Sequence, residues 1–498
     1  MLTLTQIQTI LEKENLLREF ITPTRWTLTT PFDKTFKTIS YDSRKVDANT
    51  LFFCKGNNFQ QRYLEQALSE GLTCYIAEQP YEVSAELAII VTDIRKALAV
   101  LSMAFYDYPQ EKLKLIGITG TKGKTTVAYF TKQILDITTN KKTALLSTLN
   151  TTLDGVTFFK SKLTTPESLD LYRMMAEAVT NGMTHLVMEV SSQAYKVARV
   201  YGLTFDVGIF LNISPDHIGP IEHPTFEDYF YCKRQLVANS RKVILQHEID
   251  HFDLLQELAA KRNIPVITYG NEQADYQVQP LEHPLAFTLS GVTDDLHLSG
   301  AYQILLAGDF NKENAAAALL ASALVGADQE AGRQGLAEAL VPGRMNLLLK
   351  PNGAHIYVDY AHNYLSMKSL LAFAKEQHPN GTLLVITGST GNKAESRREG
   401  LGKAIGEYAD VAVLTSDDPN FEDPAKIANE IQQGIKNEHV KVEFEIDRKK
   451  AIKAAINHAE PKDAIILAGK GTDKYMTVNG EDLPYEGDYF LAETFIKD

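Results

Sequence analysis

The chain has 498 residues, of which 44% are hydrophobic and 23% are charged, and its formal net charge is −13. A chain of this length rarely folds around a single hydrophobic core, so we expect about three domains of ordinary size. The acidic balance argues against nucleic acid or an anionic membrane as a bulk partner, although local sites can still hold anionic ligands.

The cysteine content and the N-terminal segment both indicate the compartment. Cys54, Cys74 and Cys232 are odd in number and form no C-x-x-C pair, so we expect a reducing environment and no disulfide framework. The first 17 residues include acidic side chains and no continuous apolar run, unlike a signal peptide. No stretch approaches the ~20 apolar residues that cross a bilayer. We therefore expect a cytoplasmic monomer that binds neither nucleic acid nor membrane.

Residues 1–108 form the first predicted domain. They mix short apolar runs that are typical of strands with segments of helical spacing at 64–70 and 94–105. The Tyr108–Pro109 pair and the charged residues after it mark the first boundary. The predicted strands of this block are LFFCKG, TCYIAE and LAIIVTD.

Residues 109–340 and 341–498 form the second and third predicted domains. In both, apolar strands alternate with amphipathic helices, which favours an α/β fold with mostly parallel sheets covered on both faces. The second is expected to be a phosphate-loop domain and the third a Rossmann-like domain. The predicted strands are LIGITG, TALLST, HLVMEVS, VGIFLNI, KVILQ and PVITYG, then HIYVDY, TLLVITG, VAVLTS and AIILAGKG, with helices such as 424–435 and 448–458 in the last block.

A glycine-rich stretch, GITGTKGKTT at 117–126, lies between a predicted strand and a predicted helix. Backbone N–H groups in such a turn surround a triphosphate, while Lys124 can reach its outer oxygens and Thr125 can ligate Mg²⁺. The spacing is tighter than the common G-x₄-G-K-[ST] form. The stretch predicts a nucleoside triphosphate site formed by Thr119, Gly120, Thr121, Lys122, Gly123, Lys124 and Thr125.

Three further side chains are candidates at the same sheet edge. Glu189 ends a strand and is either a Mg²⁺ ligand or a solvated acid. His217 follows another strand end and is either a metal or phosphate contact or a structural histidine. Lys233 lies on a predicted helix, and its local sequence indicates no more than a surface lysine.

The chain contains six motifs in series, which are GTKGKTT, MEVSS, NISPDH, GDFNKENAAAA, PGRM and VDYAH. Together they resemble the Mur ligases, the ATP-dependent enzymes that form amide bonds in peptidoglycan precursor synthesis. The chain also contains YDSR at 41–44, TTP at 164–166 and DDPN at 417–420. These are similar to the members that attach a diamino acid, as the third residue, to UDP-N-acetylmuramoyl-L-alanyl-D-glutamate. The resemblance implies that ATP converts the D-glutamyl carboxylate into an acyl phosphate, which the amine attacks without an enzyme nucleophile.

The resemblance also implies a metal site. Thr125 and Glu189 would hold one Mg²⁺ between the β- and γ-phosphates, and His217 would help to hold a second. Lys233 falls where the family carries a carbamylated lysine, whose two oxygens suit a hard cation better than an ammonium group does. Lys124, Glu189, His217 and carbamylated Lys233 are thus the implied catalytic residues.

Substrate contacts are implied in the same way. Ser43 would contact the uridine diphosphate. A local alternative for the TTPE segment is a helix start capped by Thr165, and a simple strand end is the alternative for Asp359. The implied dipeptide and sugar contacts are Thr164, Thr165, Ser191 and Arg199, and the implied nucleotide contacts beyond the phosphate loop are Asn311, Asn314, Arg344 and Asp359.

The DDPN motif indicates which amino acid is added. In members that add meso-diaminopimelate the corresponding motif ends in arginine, whereas Asn420 carries no charge and the residues at 421–423 add acidity. An acidic pocket favours the terminal ammonium group of L-lysine, although an Asp-Pro turn capping the next helix is the structural alternative. The implied recognition residues are Asp417, Asp418, Pro419, Asn420, Gly469 and Asp473.

The chain departs from the family pattern at three places. GKGTD at 469–473 replaces the usual GKGHE, so Asp473 takes the carboxylate position with a shorter side chain. Gln193 stands where histidine is usual. The loop at 388–398 matches loosely, with Asn392, Lys393 and Arg397 as candidates only.

The sequence alone leaves several rival functions open. Within the fold they are a ligase that adds diaminopimelate or ornithine, a D-alanyl-D-alanine-adding ligase and a folylpolyglutamate synthetase. Outside it they are a phosphate-loop kinase and a nucleotide-switched binding protein. The YDSR and DDPN motifs disfavour the latter two ligases, and a requirement for an amino acid separates a ligase from a kinase or a switch.

Overall fold

The structure is a computed structural model that describes residues 1–56, 59–215, 218, 222–306, 308–342, 345–392 and 395–497. His217, Arg344 and Lys393 from the sequence analysis lie outside these residues. Internal contacts divide the chain into two compact units. Unit 1 comprises Met1–Gln279, Phe287–Tyr302 and Glu313–Leu336, and unit 2 comprises Pro280–Ala286, Gln303–Lys312 and Ala337–Asp498.

Residues 1–108 fold around a mixed six-stranded sheet within unit 1. Their elements are β1 (Leu2–Thr3), α1 (Leu4–Lys13), β2 (Leu17–Ile21), β3 (Trp26–Thr27), β4 (Thr35–Phe36), β5 (Thr38–Ser40), β6 (Thr50–Phe53), α2 (Gln61–Ser69), β7 (Cys74–Ala77), β8 (Leu87–Val91) and α3 (Ile94–Phe105). The strand order is β3-β2-β8-β7-β6-β5, with β5 to β8 parallel and β2 antiparallel to both neighbours.

Successive residues of these strands supply two hydrophobic clusters, one on each face. Phe53 and Ile76 pack in a cluster with α1 and α3. Phe52 and Tyr75, one position earlier in each strand, pack in a second cluster with α2. Since neighbouring side chains of a strand point to opposite faces, helices cover this sheet on both sides.

A large sheet forms the centre of unit 1 and continues through β17 to β19. After a 3₁₀ turn at Pro109–Lys112, the elements are β9 (Lys114–Thr119), α4 (Lys124–Thr139), β10 (Thr143–Leu146), β11 (Asn150–Thr152), β12 (Phe159–Lys160), α5 (Ser168–Thr180), β13 (His185–Glu189), α6 (Ser192–Lys196), β14 (Val207–Phe210), α7 (Phe226–Ala238), β15 (Val243–Gln246), α8 (Phe252–Ala260), β16 (Val266–Gly270), β17 (Tyr276–Pro280), β18 (Ala286–Gly291), β19 (Gly300–Gln303), α9 (Asp309–Ala323) and α10 (Gln329–Glu338).

The register of the central strands decides where functional residues meet. The sheet runs β12-β11-β10-β13-β9-β14-β15-β16-β17-β18-β19, and the pairs from β10 to β17 are parallel. Glu189, at the end of β13, pairs with Ile118, and Phe210, at the end of β14, pairs with Thr119. The carboxyl ends of three neighbouring strands therefore meet at one sheet edge, where open α/β folds place their ligands.

Unit 2 contains the third sheet. Its elements from residue 341 on are β20 (Asn346–Leu349), β21 (His355–Asp359), α11 (Tyr364–Gln377), β22 (Leu383–Thr387), α12 (Ser396–Tyr408), β23 (Val411–Leu414), α13 (Pro424–Gly434), β24 (Lys441–Phe444), α14 (Arg448–His458), β25 (Ala464–Ala468), β26 (Tyr475–Val478), β27 (Glu481–Pro484) and α15 (Asp488–Lys497). The order is β20-β21-β25-β22-β23-β24, parallel except for the β20–β21 pair.

The two faces of this sheet are also covered by different helices. Tyr357 and Ile466 pack against α11, α12 and α13. Ile356 and Ile465, the preceding residues of the same strands, pack against α14 and α15. This alternation is the arrangement expected of a buried parallel sheet.

The predicted α/β class and mostly parallel sheets are confirmed. The predicted strands are present in both α/β blocks, and α14 has the predicted bounds. Helix α2 begins at Gln61, three residues before the predicted start. The division into three domains at 108 and 340 stays a prediction.

The cysteines and the helices bear on two further expectations. Cys54, Cys74 and Cys232 are free thiols and are buried. Among the described residues, no helix combines the length and apolar character that a membrane crossing requires.

A buried ion pair joins α14 to α15 in unit 2. Arg448 donates to both carboxylate oxygens of Asp488, at 2.8 and 2.6 Å, and to the carbonyl oxygen of Ala468 at 2.8 Å. The two side chains are 1% and 0% exposed, so neither charge has water to replace its partner. Removing one partner would leave the other charge buried alone.

We expect Asp488→Ala to lower the free energy of unfolding of unit 2 by about 3–5 kcal/mol, because Arg448 loses its counter-charge in a dry environment. Calorimetric melting measures the change. Glu486→Ala, which breaks the exposed ion pair with Lys449, is the matched control and should cost less than about 1 kcal/mol. Equal losses in the two variants would contradict this account.

Candidate active site

The phosphate loop joins the end of β9 to the start of α4. Gly123 caps α4 in the left-handed region, with φ +86°. A Cβ atom built on Gly123 would lie 2.7 Å from Oδ1 of Asn314, which is itself buried. Glycine is therefore needed here both for backbone conformation and for the close approach of α9.

The NIS segment that follows β14 holds the loop in place. The backbone N–H of Lys122 donates to Oδ1 of Asn212 at 2.9 Å, and Nδ2 of Asn212 donates back to the Lys122 carbonyl at 3.1 Å. Oγ1 of Thr121 accepts from the backbone N–H of Ser214 at 3.0 Å. The hydrogen bonds from Asn212 and Ser214 thus hold the loop, and we call them the NIS clamp. The sequence motif that contains Asn212 indicated no such role for it.

Two lysine ammonium groups contact one carbonyl oxygen of the loop. Nζ of Lys124 and Nζ of Lys233 each lie 2.8 Å from the Gly120 oxygen. Lys233 is 2% exposed and lies 4.8 Å above the ring of Tyr229, whose hydroxyl shares a 3.1 Å hydrogen bond with Thr121. The alternative of an ordinary surface lysine at 233 is therefore wrong.

Glu189 lies beside this loop and is completely buried. Its carboxylate accepts from the backbone N–H and from the hydroxyl of Thr148, both at 2.8 Å. Oγ1 of Thr148 also lies within hydrogen-bond distance of Oγ1 of Thr164, at 3.1 Å. The alternative of a solvated strand-end acid is wrong, and Thr148 links the acid to the TTP motif, which no local pattern indicated.

The TTP motif is fastened to the strand end rather than to a helix. Oγ1 of Thr165 donates to the Glu189 carbonyl at 3.0 Å and accepts from the backbone N–H of Ser191 at 3.0 Å. The N-cap residue of helix α5 is instead Glu167. The prediction that Thr165 caps this helix is wrong, because the side chain bonds to β13 and its extension.

Arg199 lies in the same group. Its Nε donates to Glu167 at 2.8 Å and its Nη1 to the Thr165 carbonyl at 3.3 Å. Lys55, from the first 108 residues, also pairs with Glu167, at 2.5 Å. Although burial opposes it, the two cations hold the pKa of the Glu167 carboxyl below its ordinary value. A single carboxylate thus connects the first predicted domain to the TTP motif.

The other predicted contact residues either make local hydrogen bonds or are buried within a helix face. Ser43, in the first predicted domain, is half-exposed, and its Oγ donates to Oε1 of Gln66 at 3.2 Å. Asn311 and Asn314 are both buried and stand three positions apart on α9, which places them on one helix face. Asp359 ends β21, and its two oxygens accept from the backbone N–H groups of Met345 and Ala361, at 2.7 and 2.8 Å.

The DDPN segment in unit 2 surrounds a buried acid. Asp417 is 5% exposed, and burial raises the pKa of its carboxyl to about 6. A Cβ atom on Gly469, whose φ is +115°, would overlap Oδ2 of Asp417. The glycine of GKGTD therefore allows the two segments to touch.

Lys470 occupies the middle of the neighbouring acids. Its Nζ lies 2.9 Å from Oδ1 of Asp418 and 3.5 Å from Oδ2 of Asp473. Although burial opposes it, the carboxylates of Asp417 and Asp418 raise the pKa of Lys470. Asp473 also accepts from the Tyr360 hydroxyl at 2.5 Å.

Asn420 is fixed by its backbone and has a free side-chain oxygen. Its N–H donates to Thr477 at 3.0 Å, and its carbonyl accepts from Asn479 at 2.8 Å, in the left-handed conformation. Its Oδ1 is buried, and no described group donates a hydrogen bond to it. A buried acceptor without a donor is costly unless a ligand satisfies it.

The two acids at 422 and 423 both have hydrogen-bond partners within unit 2. Glu422 accepts from Arg398, which is 2% exposed, at 3.0 and 3.1 Å. Asp423 caps α13 by accepting from the backbone N–H of Ala425 at 2.9 Å. Glu422 is therefore neutralised, whereas a contribution of Asp423 to recognition stays a prediction. The alternative that the DDPN turn caps α13 is wrong, because Asp423 is the capping residue.

In the loop at 388–398, the described side chains of Asn392 and Arg398 bond to other parts of the protein. Asn392 donates its N–H to Glu422 at 2.5 Å and accepts from the backbone N–H of Phe421 at 3.1 Å. Arg397 is exposed, and its neighbour Arg398 carries the buried ion pairs. Neither residue 392 nor residue 397 acquires a ligand-binding role from these contacts.

Comparison with known proteins connects this geometry to a family. Residues 118–322 match the Mur ligase middle domain, and residues 343–471 match the Mur ligase, glutamate ligase domain. The chain belongs to the Mur ligase family. The phosphate loop, the MEVSS strand end and the NIS segment lie in the part of the chain that matches the middle domain.

Full-length relatives in this family are similar along nearly the whole chain. The UDP-N-acetylmuramoyl-L-alanyl-D-glutamate--L-lysine ligase of Enterococcus faecalis is 60% identical, covering 99% of both chains. A ligase with the same name from Streptococcus sanguinis is 52% identical over 93% of each, and a UDP-N-acetylmuramyl-tripeptide synthetase of Lactococcus lactis subsp. cremoris is 51% identical over the full length of each.

Solved structures agree on the Mur ligase fold. The structure of a UDP-N-acetylmuramoyl-L-alanyl-D-glutamate--2,6-diaminopimelate ligase superposes with a TM-score of 0.68 at 26% identity, covering 93% of this chain and 95% of that one. A D-alanyl-D-alanyl ligase from Acinetobacter baumannii gives a TM-score of 0.52 at 20% identity, covering 94% and 93%, and shows the fold alone.

We expect Gly123→Ala to weaken ATP binding by at least about tenfold, because the added Cβ both strains a positive φ and displaces Asn314. Titration with a fluorescent ATP analogue measures the dissociation constant. Gly182→Ala is the matched control, since Gly182 has a similar φ of +79° with nothing within 4 Å of its Cβ position. Equal affinity in the two variants would show that the close approach of Asn314 is unimportant.

Proposed function

We propose that this protein is an ATP-dependent ligase that adds L-lysine to the D-glutamyl residue of UDP-N-acetylmuramoyl-L-alanyl-D-glutamate in peptidoglycan precursor synthesis. The observation that carries the proposal is its 60% identity, over 99% of both chains, to an enterococcal ligase named for that reaction. The geometry of unit 1 supports it, since a phosphate loop, a buried carboxylate and an ordered set of hydroxyls meet at one sheet edge. A cytoplasmic monomer is part of the proposal.

The proposed reaction depends on positioning rather than on an enzyme nucleophile. The γ-phosphoryl group of ATP passes to an oxygen of the D-glutamyl side-chain carboxylate, which gives an acyl phosphate and ADP. The α-amine of lysine attacks the acyl carbon, the bond to phosphate breaks, and the amine loses a proton as the amide forms. The protein has to neutralise phosphate charge and align two substrates.

Lys124 and the loop backbone are suited to the phosphate groups. The N–H groups of Thr121 and Lys122 are hydrogen-bonded to Asn212, so the N–H groups suited to phosphate are those of the first turn of α4, where the helix dipole also favours an anion. Lys124 is anchored on loop carbonyls, so its ammonium group lies within the loop itself. In the proposal, Asn311, Asn314, Arg344 and Asp359 complete the nucleotide contacts.

Mg²⁺ is the cofactor proposed to accompany ATP. Thr125 and Glu189 supply a hydroxyl and a buried carboxylate next to the loop, and hard cations prefer such oxygen donors. Bound Mg²⁺ supplies charge neutralisation at the β- and γ-phosphates. His217 completes the proposed ligand set by family resemblance.

Carbamylation of Lys233 is also part of the proposal. The side chain is buried against the loop, where its ammonium group faces a carbonyl oxygen and a tyrosine ring. The ammonium group first loses a proton, carbon dioxide then adds to the neutral amine with loss of a second proton, and the resulting carbamate carries one negative charge shared by two oxygens. That change of charge suits a site that also receives a metal ion.

The dipeptide substrate fits the hydroxyl and arginine group beside Glu189. Thr164, Thr165, Ser191 and Arg199 offer hydrogen bonds to carboxylates, and Glu167 fixes the orientation of the guanidinium group. We propose Ser43 as the uridine diphosphate contact. The Lys55–Glu167 ion pair would hold the first predicted domain, which contains Ser43, in a fixed position relative to the dipeptide contacts.

The proposed lysine contacts lie in unit 2. Asp417, Asp418 and Asp473 outnumber the single cation of Lys470 among them, so the segment keeps a negative surplus. The buried Oδ1 of Asn420 is an acceptor that a lysine ammonium group can satisfy. An arginine at position 420 would instead favour a distal carboxylate.

One assay tests the proposed activity. Phosphate release is measured with ATP and the UDP-muramoyl-dipeptide, and lysine, meso-diaminopimelate or D-alanyl-D-alanine is added in turn. Sustained release should require both the dipeptide and lysine. Equal release without any amine would refute the ligase proposal, and a preference for diaminopimelate would refute the lysine assignment.

We expect Asn420→Arg to raise the KM for lysine by about tenfold or more, because a cation replaces the free acceptor and repels the substrate ammonium group. The KM for ATP should stay within about twofold, since the proposed phosphate contacts are in unit 1. Asn429→Arg, on the exposed face of α13, is the control for added charge. An unchanged lysine KM in Asn420→Arg would show that DDPN is only a turn.

A further inference from the structure

We propose that His223 is a positioning residue that holds the N-terminal half of α7 so that Tyr229 and Lys233 reach the phosphate loop. The inference rests on the proposed role of Lys233.

His223 is fully buried and both of its ring nitrogens have partners. Nδ1 lies 2.6 Å from Oδ2 of Asp228, and Nε2 lies 2.8 Å from Oγ of Ser192. A carboxylate only accepts, so Nδ1 carries a proton and donates to Asp228. Nε2 then has a partner that can donate or accept, because a hydroxyl does both.

These bonds join two segments that border the site. Ser192 begins α6, directly after Ser191 and three residues after Glu189. Asp228 lies in the first turn of α7 and also pairs with Lys196 at the end of α6, at 2.5 Å. A rigid imidazole with polar atoms on opposite sides therefore bridges the MEVSS strand end and the start of α7.

The other half of α7 is held by close packing. A Cβ atom on Gly117 would lie 2.7 Å from Phe205 and 2.9 Å from Leu236, and one on Gly208 would overlap Ser240. Glycines in β9 and β14 thus let Leu236 and the end of α7 approach the sheet backbone. This packing fixes the C-terminal half of the helix without any contribution from His223.

Tyr229 and Lys233 lie between these two anchors. They are four positions apart and share one helix face, and the ring of His223 packs edge-on against that of Tyr229 at 5.3 Å. Their contacts with Thr121 and Gly120 depend on where this part of the helix lies. Loss of the imidazole bridge would release the half of α7 that carries both contacts.

The test compares His223→Leu with His223→Asn and with His458→Leu, an exposed histidine in unit 2. His223→Leu should lower kcat for lysine-dependent phosphate release by about 30-fold or more, because misplacing a reacting group by about 1 Å costs on that order. The lysine KM should change by less than about twofold. His458→Leu should match the wild type.

Two further readouts separate positioning from general loss of structure. His223→Asn can still donate to Asp228 and should recover at least about a fifth of the wild-type kcat. Amide hydrogen exchange in His223→Leu should quicken at 226–233 and stay unchanged at 234–238. If His223→Leu does not fold, Ser192→Ala replaces it and should lower kcat about fivefold with the same lysine KM.

Lys233→Ala, measured in parallel, distinguishes the two possible failures. Full activity in Lys233→Ala would refute the proposed role of Lys233 and this inference together. A strong loss in Lys233→Ala, with kcat of His223→Leu within about threefold of wild type, would refute the inference alone. A tenfold higher lysine KM in His223→Leu, or faster exchange along all of α7, would also overturn it.

Discussion

The parallel register of β9, β13 and β14 is the constraint on which the rest of the site depends. Because three carboxyl strand ends meet at one edge, the phosphate loop, Glu189 and the NIS segment become neighbours without any long connection. The backbone of the loop is then held from several sides, by Asn212 and by two lysine ammonium groups on the Gly120 carbonyl. Such preorganisation is what a transfer reaction without an enzyme nucleophile requires.

Charge is arranged differently in the two units. In unit 1 the side chains of Lys124 and Lys233 contact the loop, and Lys55 and Arg199 both form ion pairs with Glu167. In unit 2 acidic side chains exceed the cation of Lys470, and Asn420 leaves an acceptor free. The first environment suits phosphates and carboxylates, and the second suits an ammonium group. Each unit thus has the electrostatic character that the proposed partner requires.

Local patterns indicate the phosphate loop and the buried strands such as β9 and β25, since apolar runs and glycine spacing are short-range signals. They do not indicate half-exposed or short strands such as β11, β17 and β24. Long-range contacts could not be read from the chain. The Lys55–Glu167 pair spans 112 positions, and Arg398 neutralises Glu422 from 24 positions away, which is why acidity at 421–423 was overestimated. Thr165 has a good capping pattern, but tertiary bonds to Glu189 and Ser191 prevail. The H-x₄-D spacing of His223 and Asp228 was visible, yet nothing local distinguished it from a surface pair.

The central claim is that ATP activates the D-glutamyl carboxylate before lysine attacks. The most direct measurement uses the dipeptide substrate with ¹⁸O in that carboxylate and follows the label into released phosphate by mass spectrometry. An acyl phosphate intermediate predicts one ¹⁸O atom in each phosphate formed, because the oxygen that accepts the phosphoryl group leaves with it. Phosphate free of ¹⁸O during lysine-dependent turnover would contradict the account.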